Sequence, residues 1–143
     1  MNAKVIALFI SPTPKGPMKS VEEVKAKKGR RLENDRFCID KGPGDQHVTL
    51  INGLFFENSG FNYADSRRNI VTEGISLMPL IRKEFLVGEV LLRGTKYCDL
   101  PDSRSSIRNG GKSFRETFSD RGGLIAVVVR DGVIKVGDDI VTI

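Results

Sequence analysis

The sequence predicts a mostly β protein: a closed or partly closed β-barrel with a few short helices. Many short segments are rich in β-branched residues, glycine and proline punctuate them, and few segments have helical periodicity. With 143 residues, the chain has the length of one domain around one hydrophobic core. We therefore expect a single domain over residues 1–143.

The N-terminal half is predicted to hold strands separated by turns and loops. Its β-branched segments predict strands at residues 4–11, 47–51 and 70–72, and a further extended segment at residues 36–40. A proline-rich turn follows the first strand, because proline cannot continue sheet pairing. Between the strands we expect a lysine-rich loop or helical turn over residues 21–29, and a short helix with a loop over residues 52–66.

The C-terminal half is predicted to hold two hairpins and a last strand. Gly88-Glu89 separates apolar segments at residues 85–87 and 90–93, and Asp131-Gly132, a type I′ turn signal, separates 124–130 from 133–136. Residues 139–143 predict the last strand. Helical turns are expected at residues 75–81, and a helix over 112–120 would place Phe114 and Phe118 on one face as core anchors.

Composition narrows the classes of function. The net charge is +5 and the isoelectric point is about 9.4, which favours an anionic ligand or partner. Tryptophan is absent and aromatic residues make up 7% of the chain, which disfavours a nucleic-acid module. The apolar run near the N-terminus is far shorter than the roughly 20 residues of a membrane span, and it has no signal-peptide cleavage site. We expect a cytoplasmic protein that does not bind membranes.

The sequence lacks the residues that several kinds of active site require. His47 is the one histidine, which excludes a multi-histidine metal site, and we interpret it as a strand residue. Neither a Walker phosphate loop nor a Rossmann fingerprint is present, since the glycine-rich turn at residues 42–45 lacks the helix and lysine that those motifs need. The two cysteines lie far apart in sequence, so both are expected to be reduced thiols.

Cys98 is the best candidate for a reactive group. It follows the predicted strand at residues 90–93, in a loop where its side chain could reach solvent. Nearby cations would favour the reactive thiolate and nearby carboxylates oppose it; these are Arg93, Lys96 and Arg104, and Asp99 and Asp102. A buried structural thiol is the alternative, and it is the interpretation that we favour for Cys38.

Arg67, Arg68 and Asn69 form the second candidate. At the start of a strand they offer two planar cations and an amide, which suit contacts to phosphate or to the edge of a heterocycle. The alternative is a solvated pair of surface charges.

Five segments in order resemble the molybdenum-cofactor sulfurase C-terminal (MOSC) domain family. They are residues 29–36 (GRRLENDR), 47–51 (HVTLI), 68–74 (RNIVTEG), 85–98 (FLVGEVLLRGTKYC) and 122–140 (GGLIAVVVRDGVIKVGDDI). The resemblance covers most of the chain. It departs from the family pattern at Asn34, where the family usually has glycine, and in having no second cysteine after Cys98.

The resemblance implies a barrel that handles the molybdenum cofactor (molybdopterin) or its sulfur. Cys98 would be the persulfide carrier or metal ligand, and Arg68 and Asn69, beside Arg67, would hold the cofactor. Asp35 and Arg36 would have a supporting role. The pyridoxal-phosphate domain of larger relatives is absent from this sequence, so sulfur would come from a separate cysteine desulfurase and pass to a molybdoenzyme acceptor.

Three functions therefore remain open. The first is a sulfur carrier that loads Cys98 and delivers to a metal centre. The second is a molybdenum-dependent reductase of N-hydroxylated compounds with Cys98 as metal ligand. The third is a non-catalytic module that binds anions at a basic mouth.

Overall fold

The structure is a computed structural model that describes residues 3–12, 17–28, 32–33, 48–98, 108–109, 112–113, 118 and 122–143. Its strands are β1 (Ala3–Ile10), β2 (Lys19–Val21), β3 (Glu23–Ala26), β4 (Val48–Asn52), β5 (Ile70–Glu73), β6 (Glu84–Val87), β7 (Val90–Tyr97), β8 (Arg108–Asn109), β9 (Lys112–Ser113), β10 (Leu124–Arg130), β11 (Gly132–Lys135) and β12 (Asp139–Thr142). Short 3₁₀ helices span Gly53–Phe56, Tyr63–Ser66 and Met78–Leu80.

Seven strands close into a barrel, which confirms the predicted fold class. The order around the barrel is β1, β5, β4, β10, β7, β6 and β12, and the pairing of β12 with β1 completes the ring. Strands β4 and β5 run parallel, whereas the other neighbours in the ring are antiparallel. Strand β2 adds to β1 outside the ring.

Alternating side chains fill the barrel. On β10, Leu124, Ala126 and Val128 are buried and alternate with half-buried residues, as expected for a strand with one face toward a core. Aromatic residues form a second buried cluster beside the barrel, in which the Phe56 and Phe118 rings lie 4.7 Å apart. The predicted role of Phe118 as a core anchor is confirmed, because it is fully buried.

The prediction of a helical turn or loop over residues 21–29 is wrong for residues 21–26. This segment contains the end of β2 and all of β3 instead of a helical turn or loop. Val24 and Ala26 are buried and alternate with exposed Glu23 and Lys25, which is strand periodicity, and β3 pairs with β11. The many charges masked this alternation in the sequence.

The predicted second hairpin does not form, although its two strands lie close to where they were expected. Strand β10 pairs with β7 and β4, whereas β11 leaves the barrel and pairs with β3. The Glu89 carboxylate accepts a hydrogen bond of 2.9 Å from the Val133 N–H. A Cβ on Gly132 would lie 2.8 Å from the Glu89 side chain, so glycine lets the chain cross over Glu89 instead of reversing.

Other expected elements are confirmed or adjusted. The hairpin at Gly88 forms, with Gly88 at φ +59°, and strands occur at the predicted β1, β4, β5 and β12. Residues 112–113 form β9 instead of starting a helix, and Phe114 lies outside the described residues. Cys38, His47 and the segment at residues 36–40 lie outside them as well. Within the described segments, no helix is long and apolar enough to cross a membrane.

Gly94 lets the chain before β6 cross directly over β7. The Gly94 N–H donates to Lys83 O and its carbonyl accepts from the Arg82 N–H, both at 2.9 Å. A Cβ at this position would lie 2.2 Å from Leu80 O, closer than real Cβ contacts allow.

We predict that Gly94→Ala lowers the free energy of unfolding by about 2–3 kcal/mol, because the crossing backbone has to move. Urea unfolding followed by circular dichroism measures the change. The control is Lys96→Ala, an exposed position on the same strand, which should change stability by less than about 0.5 kcal/mol. Equal stability of the two variants would contradict this account.

Candidate functional site

The segment Arg67-Arg68-Asn69 forms the corner between a 3₁₀ helix and β5. Arg67 adopts a left-handed conformation, with φ +56°, and caps the helix by donating its N–H to Ala64 O. The two side chains that follow point to opposite sides: Arg68 toward Gly122 and Asn69 toward Phe9. The Arg67 guanidinium donates to Ser11 Oγ at 3.1 Å, which joins the corner to the end of β1.

Asn69 fixes the corner to two other strands. Its Nδ2 donates to Phe9 O at 3.1 Å, and its Oδ1 accepts from the Thr49 N–H at 3.1 Å and from Thr49 Oγ1 at 3.2 Å. Only 5% of Asn69 is exposed. Its amide therefore bonds to the protein itself and holds β1, β4 and β5 together at this end of the barrel.

Arg68 points into the protein, with 6% of the residue exposed. Its Nε–H donates to Gly122 O at 2.7 Å and its Nη2 lies 3.4 Å from Cys98 O, which is a long hydrogen bond. The Arg68 N–H donates to Ser66 Oγ at 3.2 Å. The guanidinium thus joins the chain before β5 to the end of β7 and to the glycine pair before β10.

Cys98 lies directly after β7, and its N–H donates to Gly123 O at 2.8 Å. The sequence left open whether Cys98 is exposed or buried, and the structure shows it buried: β7 continues to Tyr97 along β10, and 6% of Cys98 is exposed. The Tyr97 hydroxyl accepts the Gly122 N–H at 3.0 Å. Pairing to β10 thus holds Cys98 against the barrel, where the sequence predicted a loop. Cys98 is in no disulfide within the described chain.

The glycine pair permits this close packing. A Cβ on Gly122 would lie 2.1 Å from Cys98 O, and a Cβ on Gly123, which has φ +110°, would lie 2.1 Å from Leu50 O. Neither the glycine pair nor Tyr97 was predicted from the sequence to take part in a site. The signal that could have identified them is the position of two adjacent glycines immediately before a strand that pairs with the cysteine-bearing strand.

The structure therefore brings together some of the predicted residues. Arg68 and Cys98 meet although they are 30 positions apart in sequence. Asn69 follows Arg68 in the chain and fixes this corner by its bonds to Phe9 and Thr49. The Arg67 side chain donates to Ser11. The cations Arg93 and Lys96 are exposed on β7, and Asp35, Arg36 and Arg104 lie outside the described residues. No three His, Cys, Asp or Glu side chains of the described segments are grouped as metal ligands.

Arg68 places a buried positive charge beside the backbone of Cys98. A buried guanidinium is a fixed positive charge in a region of low dielectric constant, where it stabilises negative charge nearby more strongly than a solvated cation does. The Arg68 guanidinium donates to the carbonyl oxygens of Gly122 and Cys98. The local chemistry thus combines one thiol with one buried cation.

Comparisons with known proteins establish the fold. No protein-family model and no curated protein matches the chain. YuaD from Bacillus subtilis has a TM-score of 0.72 at 17% identity, over 98% of this chain and 94% of YuaD. YiiM from Geobacillus stearothermophilus has a TM-score of 0.67 at 12% identity, over 99% and 75%. YiiM from Escherichia coli has a TM-score of 0.64 at 13% identity, over 98% and 69%. At these identities the likeness shows the fold alone, and it supports the MOSC-like fold that the sequence resemblance implies.

Proposed function

We propose that this protein is a sulfur carrier in which Cys98 accepts a sulfane sulfur and delivers it to a metal centre. The observation that supports this proposal is the contact between the buried Arg68 guanidinium and the backbone carbonyl of Cys98. A buried cation in this region would stabilise a thiolate or persulfide anion that comes near it, and the thiolate is the form that attacks sulfur. The resemblance to the MOSC family adds the same role for Cys98.

Loading is a thiol exchange that needs no outside oxidant. The Cys98 thiolate attacks the outer sulfur of a donor persulfide, the donor's S–S bond breaks, and the donor leaves as a thiolate while a persulfide forms on Cys98. A cysteine desulfurase, which carries its own pyridoxal phosphate, would supply the donor persulfide. Delivery as sulfide requires two electrons, which a reduced metal centre in a molybdoenzyme acceptor, or a pair of thiols, would provide.

The burial of Cys98 determines which sulfur donors could reach its thiol. With 6% of the residue exposed, a donor has to displace neighbouring atoms before its sulfur reaches the thiol. Loading by a protein donor that binds this end of the barrel is therefore expected to be faster than reaction with small disulfides. The same burial would protect the persulfide from water and oxidants once it has formed.

The described residues offer little for holding a molybdenum cofactor. One thiol, Cys98, is a suitable soft ligand, but the described segments contain no cluster of three metal-ligating side chains. The Asn69 amide is engaged by Phe9 and Thr49. If molybdopterin binds, Cys98 would be the protein ligand, the Arg67 and Arg68 cations would offset its negative charge, and the group would supply two-electron redox chemistry.

We predict that wild type gains one sulfur atom after incubation with a cysteine desulfurase and cysteine, because the desulfurase persulfide exchanges with the Cys98 thiolate. Intact-mass spectrometry and peptide mapping measure the gain. Cys98→Ala should gain none, and Cys38→Ala should load like wild type. An unloaded wild type, or equal loading of Cys98→Ala, would reject the sulfur-carrier proposal.

We predict that Arg68→Met lowers the free energy of unfolding by about 2–4 kcal/mol, because Gly122 O and Cys98 O lose a charged hydrogen-bond donor. Urea unfolding measures the loss. Arg68→Lys keeps the charge without the planar fork and should lose less. The control is Arg93→Met on the exposed face of β7, which should stay within about 0.5 kcal/mol of wild type. A loss as small for Arg68→Met as for Arg93→Met would contradict the assigned contacts.

Metal content separates the carrier from the reductase. We predict that folded protein from a host that makes molybdenum cofactor contains far less than one molybdenum per chain, because a carrier delivers sulfur to the metal centre of another protein. Plasma mass spectrometry gives the ratio. Stoichiometric molybdenum that is lost in Cys98→Ala would favour the reductase of N-hydroxylated compounds instead.

A further inference from the structure

A hollow of about 700 Å³ opens on the barrel at the carboxyl ends of the parallel strands β4 and β5. It lies between β1, the end of β5 and the 3₁₀ helix at Gly53–Phe56. Arg68 and Asn69 precede β5, whereas Glu73 is its last residue, so the hollow and Arg68 lie at opposite ends of this strand. The proposed sulfur chemistry does not use it.

The walls of the hollow are mostly apolar. Ile6 lines it from the irregular part of β1, and Leu54, Phe55, Tyr63 and Ile75 line it from the segments around the 3₁₀ helices. Leu54 is 61% exposed. Volume and lining both match sites that bind small organic molecules, which are typically about 300–1,000 Å³ and largely apolar.

The hollow has a polar rim that is fixed by hydrogen bonds and is negatively charged. Asn52 fixes it, because its Oδ1 accepts from the Leu54 N–H at 3.0 Å and its Nδ2 donates to Ile75 O at 2.9 Å. Glu57 and Glu73 line the hollow, and no lysine or arginine is among its described lining residues. Lys4 is the cross-strand partner of Glu73 but forms no ion pair with it among the described residues.

The charge of this rim is opposite to that of the whole chain. The protein has a net charge of +5, yet the hollow presents two carboxylates. A ligand anion would meet repulsion from Glu57 and Glu73, whereas a ligand cation would be attracted. The Tyr63 ring also lines the hollow, and it packs at nearly a right angle to the Phe56 ring with centroids 5.1 Å apart.

We propose that this hollow binds an organic ammonium ion with an aromatic or aliphatic body. The ammonium group lies at Glu57 and Glu73, and the body covers Ile6, Leu54 and Ile75. A primary amine on a short apolar stem satisfies both features, because burying the stem contributes the affinity and the carboxylates select the charge.

The experiment compares three ligands with similar bodies: phenethylamine, 2-phenylethanol and 3-phenylpropionate. Amide chemical shifts, followed during titration, should show saturable one-to-one binding of the amine at Leu54 and Ile75. We expect the amine to bind about ten times tighter than the alcohol at low salt, and this preference should shrink as salt is added. The anion should bind more weakly than the alcohol.

Variants test the assignment of the carboxylates. Glu73→Gln and Glu57→Gln should each reduce the preference for amine over alcohol by about threefold, and the double variant should remove it. Glu84→Gln is the matched control, an exposed carboxylate on β6 that does not line the hollow. Cys98→Ala should bind the amine like wild type, which keeps this test independent of the sulfur proposal.

Three outcomes would overturn the proposal. They are no saturable binding up to about 10 mM amine, equal affinity for amine and alcohol, and an unchanged preference in the double glutamine variant.

Discussion

Arg68 is a buried charge, because only 6% of the residue is exposed. Its guanidinium therefore needs hydrogen bonds to oxygen atoms of the protein. The Gly122 and Cys98 carbonyls provide two of them. Those carbonyls can reach the guanidinium because Gly122 has no Cβ, which would collide with Cys98 O. The buried charge therefore links the start of β5, the end of β7 and the glycine pair before β10 into one unit.

The sequence predicted the elements of this fold whose signal is local. Alternation in the barrel strands and the glycine at position 88 identify most strands and one hairpin, because each depends on neighbouring residues. Strand pairing depends on distant residues. Asp131-Gly132 has the composition of a hairpin turn, yet a carboxylate from the β6–β7 turn bonds to Val133 and directs β11 toward β3. No local pattern could have predicted that contact.

The candidate site shows the same division. The sequence identified Cys98 and Arg68 by residue type and family resemblance, and the structure brings them together. The sequence could not decide whether Cys98 is exposed or buried, because its burial depends on the pairing of Tyr97 with Leu124 on another strand. Asn69 looked like a polar ligand group in sequence, whereas its amide satisfies backbone groups of β1 and β4. A short polar motif at a strand start does not show whether its side chains face a ligand or the chain itself.

The parallel pair β4–β5 gives the barrel two chemically different ends. In a parallel pair both amino ends lie on one side, so Thr49 and Asn69 bond to each other there and fix the corner that carries Arg68. Both carboxyl ends lie on the other side, where Asn52 and Glu73 border the hollow. The first end carries the buried positive charge of Arg68, and the second presents apolar walls and carboxylates. Strand β5 connects the two ends through only four residues, and its pairing with β1 and β4 fixes it in the wall of the barrel.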